Sequence, residues 1–409
     1  MKKILSILSV LALATACIYP YQPDLEDAPD GVLVVDGNLL IGEKSTVWIG
    51  YMQSLWPKET TPIDGGGGYY YASSLTPSTT HVWAEDDGGG KYEGSLDYVN
   101  PFSSSYYYYY VNVPYTIPLE NAPADRNYRL CVQMDNLLYT SEWAKPLAPP
   151  VLKDISFKAT KPEEGALVNV YVSLDGGEEA TGYTLLTFDE TWRFHADYYP
   201  NYDYNPSTNT VFDRLDSWTR YWCWKNVNNG QQTPVDFTGM STSSLKEFPL
   251  HSFSRYDNRN HKRYSIRVTA RTIDKTTYRY LSHLEESTES GDNLFTPNPG
   301  EIAGNLRCET DPDRMVLGYV TVARTTSMRA YLGSEYLLTM KNSGYLVYPL
   351  ASPQPGIPGW REYYERGYLP LEEYTGSDSE RGPYGWGEAR CYDCIAAGGT
   401  QERPDFWED

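Results

Sequence analysis

His81-Val82-Trp83-Ala84-Glu85, Asp86-Asp87-Gly88-Gly89-Gly90 and Lys91-Tyr92-Glu93-Gly94-Ser95-Leu96 follow one another as an alternating run, a turn and a second run. Successive side chains of a strand point to opposite faces, and an Asp/Gly cluster reverses the chain, so the stretch reads as a β-hairpin. The same signature recurs on both sides of it. Val32–Val35 ends in Asp36-Gly37, a turn signal, and Thr46–Tyr51 alternates. Tyr106–Leu119 and Tyr128–Met134 bring the total to six or seven strands between Gly31 and Lys145. That number and size predict an immunoglobulin-like β-sandwich over residues 31–145.

Pro146-Leu147-Ala148-Pro149-Pro150 is a stiff linker, 146–150, ahead of a larger β-rich domain, 151–409. Ala166–Ser173, Tyr183–Phe188, Tyr264–Ile273, Met315–Ala323 and Tyr345–Tyr348 are its expected strands. One amphipathic helix is expected over Lys275–Ser290, with Tyr278, Leu281 and Leu284 at helical spacing and Gly291 as a stop. From Ala351 the chain is rich in Pro, Gly and Trp and is expected to wrap the domain without much regular structure. The 38 Tyr against 10 Phe, with 33 Gly and 28 Pro, agree with a mostly-β protein with long loops.

The chain opens with Lys2 and Lys3, the apolar run Ile4–Leu13, and Ala14-Thr15-Ala16-Cys17. This reads as a signal peptide over 1–16, too short to stay as a membrane span, leading into a cysteine expected to carry lipid. Residues 17–30 then form a Pro- and acid-rich tether. The protein is expected on a membrane through its lipid anchor, with two or more acyl chains holding it firmly. Its net charge of −20 becomes −22 once Lys2 and Lys3 leave, which counts against nucleic acid as a partner.

No zinc-protease helix, nucleophile elbow, phosphate-binding loop or dinucleotide fingerprint is present, so no enzyme and no cofactor are expected. His81, His195, His251, His261 and His283 are scattered. In an oxidising compartment some of Cys223, Cys308, Cys391 and Cys394 are expected to pair, with Cys131 a buried strand thiol. Cys391-Tyr392-Asp393-Cys394 reads as a structural staple ahead of half a zinc site or a redox pair. The functional signal is aromatic: Tyr69, Tyr70 and Tyr71, then Tyr198, Tyr199 and Tyr202, Trp222 and Trp224, and Trp360 and Trp386, all set in polar loops. Such rings can stack on sugars or anchor a protein interface.

Several segments together carry a resemblance. Cys17 is followed by an acidic tether and Leu33-Val34-Val35-Asp36-Gly37. Downstream come Pro297-Asn298-Pro299, Gly304-Asn305 and Leu317-Gly318-Tyr319. The chain ends in Cys391-x-x-Cys394, Gly398-Gly399-Thr400 and Arg403-Pro404-Asp405-Phe406-Trp407. This order resembles the Bacteroidota outer-membrane lipoproteins grouped as domain of unknown function 4249. The resemblance implies an outer-membrane lipoprotein, surface-facing, that partners a TonB-dependent β-barrel transporter and binds or gates a glycan or peptide ligand. It brings no catalytic residues. The alternative is a free-standing surface adhesin or glycan-binding lipoprotein.

Overall fold

The computed structural model describes residues 32–51, 60–62, 69–71, 80–97, 112–161, 166–176, 181–199, 201–215, 220–228, 230–240, 244–290, 304–336, 359–373 and 382–408. Cys17, the leader and the tether lie outside them, as do Tyr106–Tyr110 and Tyr345–Tyr348. Among the described residues no helix is long and apolar enough to cross a membrane.

The protein is mostly β, as its alternation predicts. Two five-stranded sheets face each other in the first sandwich. One runs Val316–Ala323, Leu33–Leu40, Lys44–Tyr51, Asn112–Pro118 and Ser95–Leu96. The other runs Leu306–Cys308, Leu137–Ser141, Tyr128–Met134, Thr80–Asp86 and Lys91–Glu93. Alternate residues fill the space between: Leu33, Val35, Val47, Ile49 and Ile117 from one sheet meet Val82, Leu130 and Val132 from the other. Burying each such side chain stabilises the fold by about 1.5–3 kcal/mol.

Glycine accounts for two differences from expectation. Asp36-Gly37 is not a turn but the middle of an eight-residue strand, Asp36 lying opposite Trp48 and Gly37 opposite Val47. A Cβ on Gly37 would fall 2.9 Å from the Val47 Cα, so glycine here lets two backbones approach. The predicted strand Lys91–Leu96 divides at Gly94. Lys91–Glu93 stays in its hairpin, while Ser95–Leu96 crosses to pair with Asn112–Pro118 in the facing sheet.

The first sandwich is completed by residues from beyond the Pro-rich linker. Val316–Ala323 runs parallel to Leu33–Leu40, and Leu306–Cys308 runs antiparallel to Leu137–Ser141. In space these strands belong with residues 31–145, although in sequence they lie inside 151–409. Parallel neighbours need a long crossover, and alternation does not reveal which strand lies beside which. Asn305 clips the returning chain: its Nδ2 donates to the Val320 carbonyl and its Oδ1 accepts from the Val320 N–H, each at 2.8 Å.

The second sandwich packs Val151–Ala159, Leu167–Asp175 and Ser244–Ser254 against Trp222–Asn228, Tyr183–His195, Arg263–Thr272 and Thr326–Tyr331, with Thr233–Asp236 added beside the long strand. Val168, Val170 and Val172 meet Leu186, Phe188, Phe194, Ile266 and Val268 in its core. The helix Lys275–Ser290 forms as the spacing predicts, capped by Asp274, whose carboxylate accepts from the Thr277 N–H at 2.7 Å. Tyr278 and Leu281 pack on Tyr183 and Ile273, but Leu284 is exposed. The stretch after Ala351 is more regular than expected. Its described part holds a short helix, Gly359–Glu365, and a hairpin of Tyr368–Glu373 with Tyr384–Glu388.

Candidate ligand-binding face

In the strand Tyr183–His195, Trp192 and Phe194 point into the core, so Arg193 and His195 project from the opposite face. The register then lines up neighbours. Trp224 lies opposite Arg193 and Trp222 opposite His195 on one side, and Arg263 lies opposite Arg193 on the other. Further along, Arg267 lies opposite both Asp189 and Arg329. The outer face thus carries Arg193, Arg263, Arg267 and Arg329 among aromatic rings.

The rings hold the guanidinium groups flat. Arg193 sits 5.4 Å from the Trp222 ring and 5.0 Å from that of Trp224, and Arg263 sits 4.5 Å from the Tyr331 ring. A guanidinium stacked on a ring presents a planar fork of N–H groups whose geometry matches a carboxylate, sulfate or phosphate. Like charges directly across a sheet destabilise it, and here arginine faces arginine twice. Asp189 answers only one of them, with a contact of 2.5 Å to Arg267. Burial, then the Arg267 charge, lowers the pKa of Arg329. A chain with 54 acidic and 34 basic side chains has carboxylates in excess, so this cationic face is not a consequence of composition.

A cavity of about 420 Å³ opens on this face, lined by Arg193, Lys262, Arg263 and Trp407. Its volume is in the range of small-ligand sites. One wall is the C-terminal segment. Trp407 is only 4% exposed and meets the rings of Trp224 at 6.4 Å and Tyr331 at 6.0 Å. Tyr331 Oη donates to the Phe406 carbonyl at 2.7 Å, and the Arg329 guanidinium lies 3.5 Å from the Phe406 ring centre. The tail is held to the Trp222–Asn228 strand by a two-way backbone bridge, Trp224 to Thr400. The Cys223–Cys394 disulfide pins the same strand from its inner face.

An aromatic step adjoins the cavity. His195 stacks on His261 at 4.3 Å and on Tyr221 at 5.0 Å, with the edge of Trp222 at 4.9 Å and Tyr199 beyond Tyr221 at 5.2 Å. Burial, and then the nearby His195, depresses the pKa of His261 to about 4. Beneath the face lies Glu190, only 1% exposed. Arg259 Nε lies 3.0 Å from its carboxylate, His251 Nε2 3.4 Å, and Tyr264 Oη donates to it at 2.9 Å. Burial alone would raise this carboxyl, but His251 and Arg259 together hold it below its ordinary value. The group is internal and braces the sheet.

Of the residues singled out in the sequence, Trp222, Trp224 and Tyr199 come together on this face. Tyr198 instead packs with Leu369 and Cys391, and Tyr202 meets the ring of Tyr384. Trp360 and Trp386, at 8% and 0% exposure, form a small core with Tyr204. Their rings are withdrawn from any ligand, because the hairpin and short helix that carry them close over them. Tyr69–Tyr71 is a strand paired with Thr60–Pro62 in a separate two-stranded sheet. Of the candidate cysteines, Cys223 and Cys394 pair, while Cys308 and Cys391, like Cys131, are buried free thiols. Burial pushes Cys131 up to about 12 and Cys391 to about 11. Sequence reasoning passed over Arg193, Lys262, Arg263 and Trp407 as ligand residues. The available signal was alternation, since Trp192-Arg193-Phe194-His195 already sorts an Arg away from two core aromatics. Among the described residues no group of three or more His, Cys, Asp or Glu side chains is placed to hold a metal ion.

A family model described as "Domain of unknown function (DUF4249)" matches residues 18–329. No curated protein matches. Among solved structures, the chain is similar to the native conformation of E. coli alpha-2-macroglobulin, with 11% identity and a TM-score of 0.17. That match covers 61% of this chain and 14% of the macroglobulin chain, so the chain spans a small part of that protein's length.

Proposed function

The chain belongs to the family described as domain of unknown function DUF4249, and on that premise we propose that it is a non-catalytic, lipid-anchored outer-membrane protein that captures or gates a ligand for a TonB-dependent transporter. The observation that carries the ligand-binding half is the cavity on the arginine and tryptophan face of the second sandwich. Two of its three cations, Arg193 and Arg263, are stacked on rings before any ligand arrives, which lowers the ordering cost of binding. The anchoring half is supported by the Lys2-Lys3 leader and the small residues before Cys17. The transporter is supported by the family resemblance.

The test is a mild-detergent pull-down of the full-length tagged protein from native outer membranes, read by mass spectrometry beside a Cys17→Ala control. A stoichiometric β-barrel transporter, lost in the control, is the expected result. Recovery of the lipoprotein alone would overturn the accessory role.

A further inference from the structure

The chemistry of the cavity narrows its ligand. Lys262 is exposed, and neither Lys262 nor Arg263 has an ion-pair partner among the described residues. Arg263 Nε is buried without a hydrogen-bond partner among them. Arg193 brings a third positive charge to the same cavity. A water-excluded wall on one side, supplied by Trp407, strengthens their attraction for an oxyanion. Trp222, half-buried and beside Arg193, continues the site outward along the aromatic step. The weakly positive C–H face of a pyranose fits the negative face of such rings.

Two other anionic classes fit less well. An extended polyanion would run off this patch onto a body of net charge −20 and be repelled. A peptide captured as an added strand needs a free sheet edge, but Arg193 and Arg263 lie on interior strands. The outer strand beside Arg193, Trp222–Asn228, is already bridged to Thr400.

We propose, resting on the reading of this face as the ligand site, that the cavity binds an acidic saccharide: a short sugar chain whose carboxylate or sulfate sits among Lys262, Arg263 and Arg193 while a neighbouring ring lies on the aromatic step. The anion supplies specificity and the stacked sugar supplies contact area. Lys262 is the most exposed of the three cations and acts at long range, so its loss weakens capture without disturbing the fold. Arg263 is aligned by Tyr331 and engages the oxyanion directly.

The experiment is titration calorimetry on the full-length protein in detergent micelles at pH 7. The probes are trigalacturonate (carboxylate only), a sulfated heparin tetrasaccharide, maltotriose (neutral) and pentaglutamate (acidic, no sugar). Expected is binding of one or both acidic saccharides at least about tenfold tighter than maltotriose or pentaglutamate, weakening as salt rises. Binding of trigalacturonate shows that a carboxylate suffices, whereas binding of the heparin fragment alone, which carries uronate carboxylates besides its sulfates, shows that sulfate is required. Lys262→Glu and Arg263→Ala should each weaken that binding by about tenfold or more. Lys262→Glu changes an exposed side chain and so keeps the test open should Arg263→Ala fold poorly. Equal affinity for maltotriose, equal affinity for pentaglutamate, indifference to Lys262→Glu, or no binding of any probe would each overturn the assignment. If the pull-down still recovers a transporter in that case, the accessory role stands and only the ligand class has failed.

Discussion

His261 lies stacked on His195 at 4.3 Å, and its depressed pKa couples the aromatic step to pH. In the unfolded chain it takes up a proton near its ordinary 6.5, whereas in the fold it resists protonation down to about 4. Its contribution to stability is therefore whole above pH 6.5 and is lost progressively as pH falls to 4, by about 2–3 kcal/mol. Denaturant melts at pH 7 and pH 4.5 should show that loss, and His261→Gln should flatten it. Glu190 behaves with the same sign at lower pH, since its carboxyl is held below 4.5 and its share of stability goes as pH falls through that lowered value. Glu190→Gln leaves Arg259 with Asp257, at 2.9 Å, as its anion and takes the charged acceptor from buried Tyr264, so it should cost about 1–3 kcal/mol in a urea melt. Gly318 is the other residue on which much depends. Its φ is +116°, and a Cβ there would lie 1.8 Å from the Val35 carbonyl oxygen. Gly318→Ala should destabilise by at least about 3 kcal/mol, read as a lower melting temperature. Alternation shows that residues 316–323 form a strand, but it cannot show that a neighbouring backbone leaves no room for a methyl group.

The strand Trp222–Asn228 joins three things: the long strand Tyr183–His195, the tail at Thr400, and the disulfide from Cys223 to Cys394. That disulfide spans 171 residues, so opening it frees a long loop in the unfolded chain. Cys223→Ala with Cys394→Ala should cost about 2–5 kcal/mol. It should also loosen the wall at Trp407, so ligand affinity falls together with the melting temperature. The staple reading of the Cys-x-x-Cys spacing holds for Cys394 alone, since Cys391 is a free thiol. The partner of Cys394 was not legible, because spacing says nothing of which strand lies under a tail. Helix Lys275–Ser290 was legible from end to end, since a 3.6-residue period and a glycine stop are local features. The hairpin at Asp86 was legible for the same reason: its carboxylate accepts from the Gly88 and Gly90 N–H groups within the turn itself.

The first sandwich depends on residues 304–323, so it cannot be excised as residues 31–145. Without Leu306–Cys308 and Val316–Ala323 both sheets would expose an edge and part of their core. A fragment of 31–145 should be unfolded or aggregated by circular dichroism, and fusing 304–325 to it should restore a cooperative melt. The chain alone determined its mostly-β class, many of its strands, the helix Lys275–Ser290, the Asp86 hairpin and its acidic balance, because each follows from a period or a composition read within a few residues. Its aromatic richness was visible too, but not which rings serve a ligand: Trp222 and Trp224 reach the outer face while Trp360 and Trp386 sink into a core of their own. Only the tertiary structure decided that Arg193, Lys262, Arg263 and Trp407, which are up to 214 positions apart, line one cavity. Registers between strands set that convergence, and a register is a relation between distant segments that no local pattern contains.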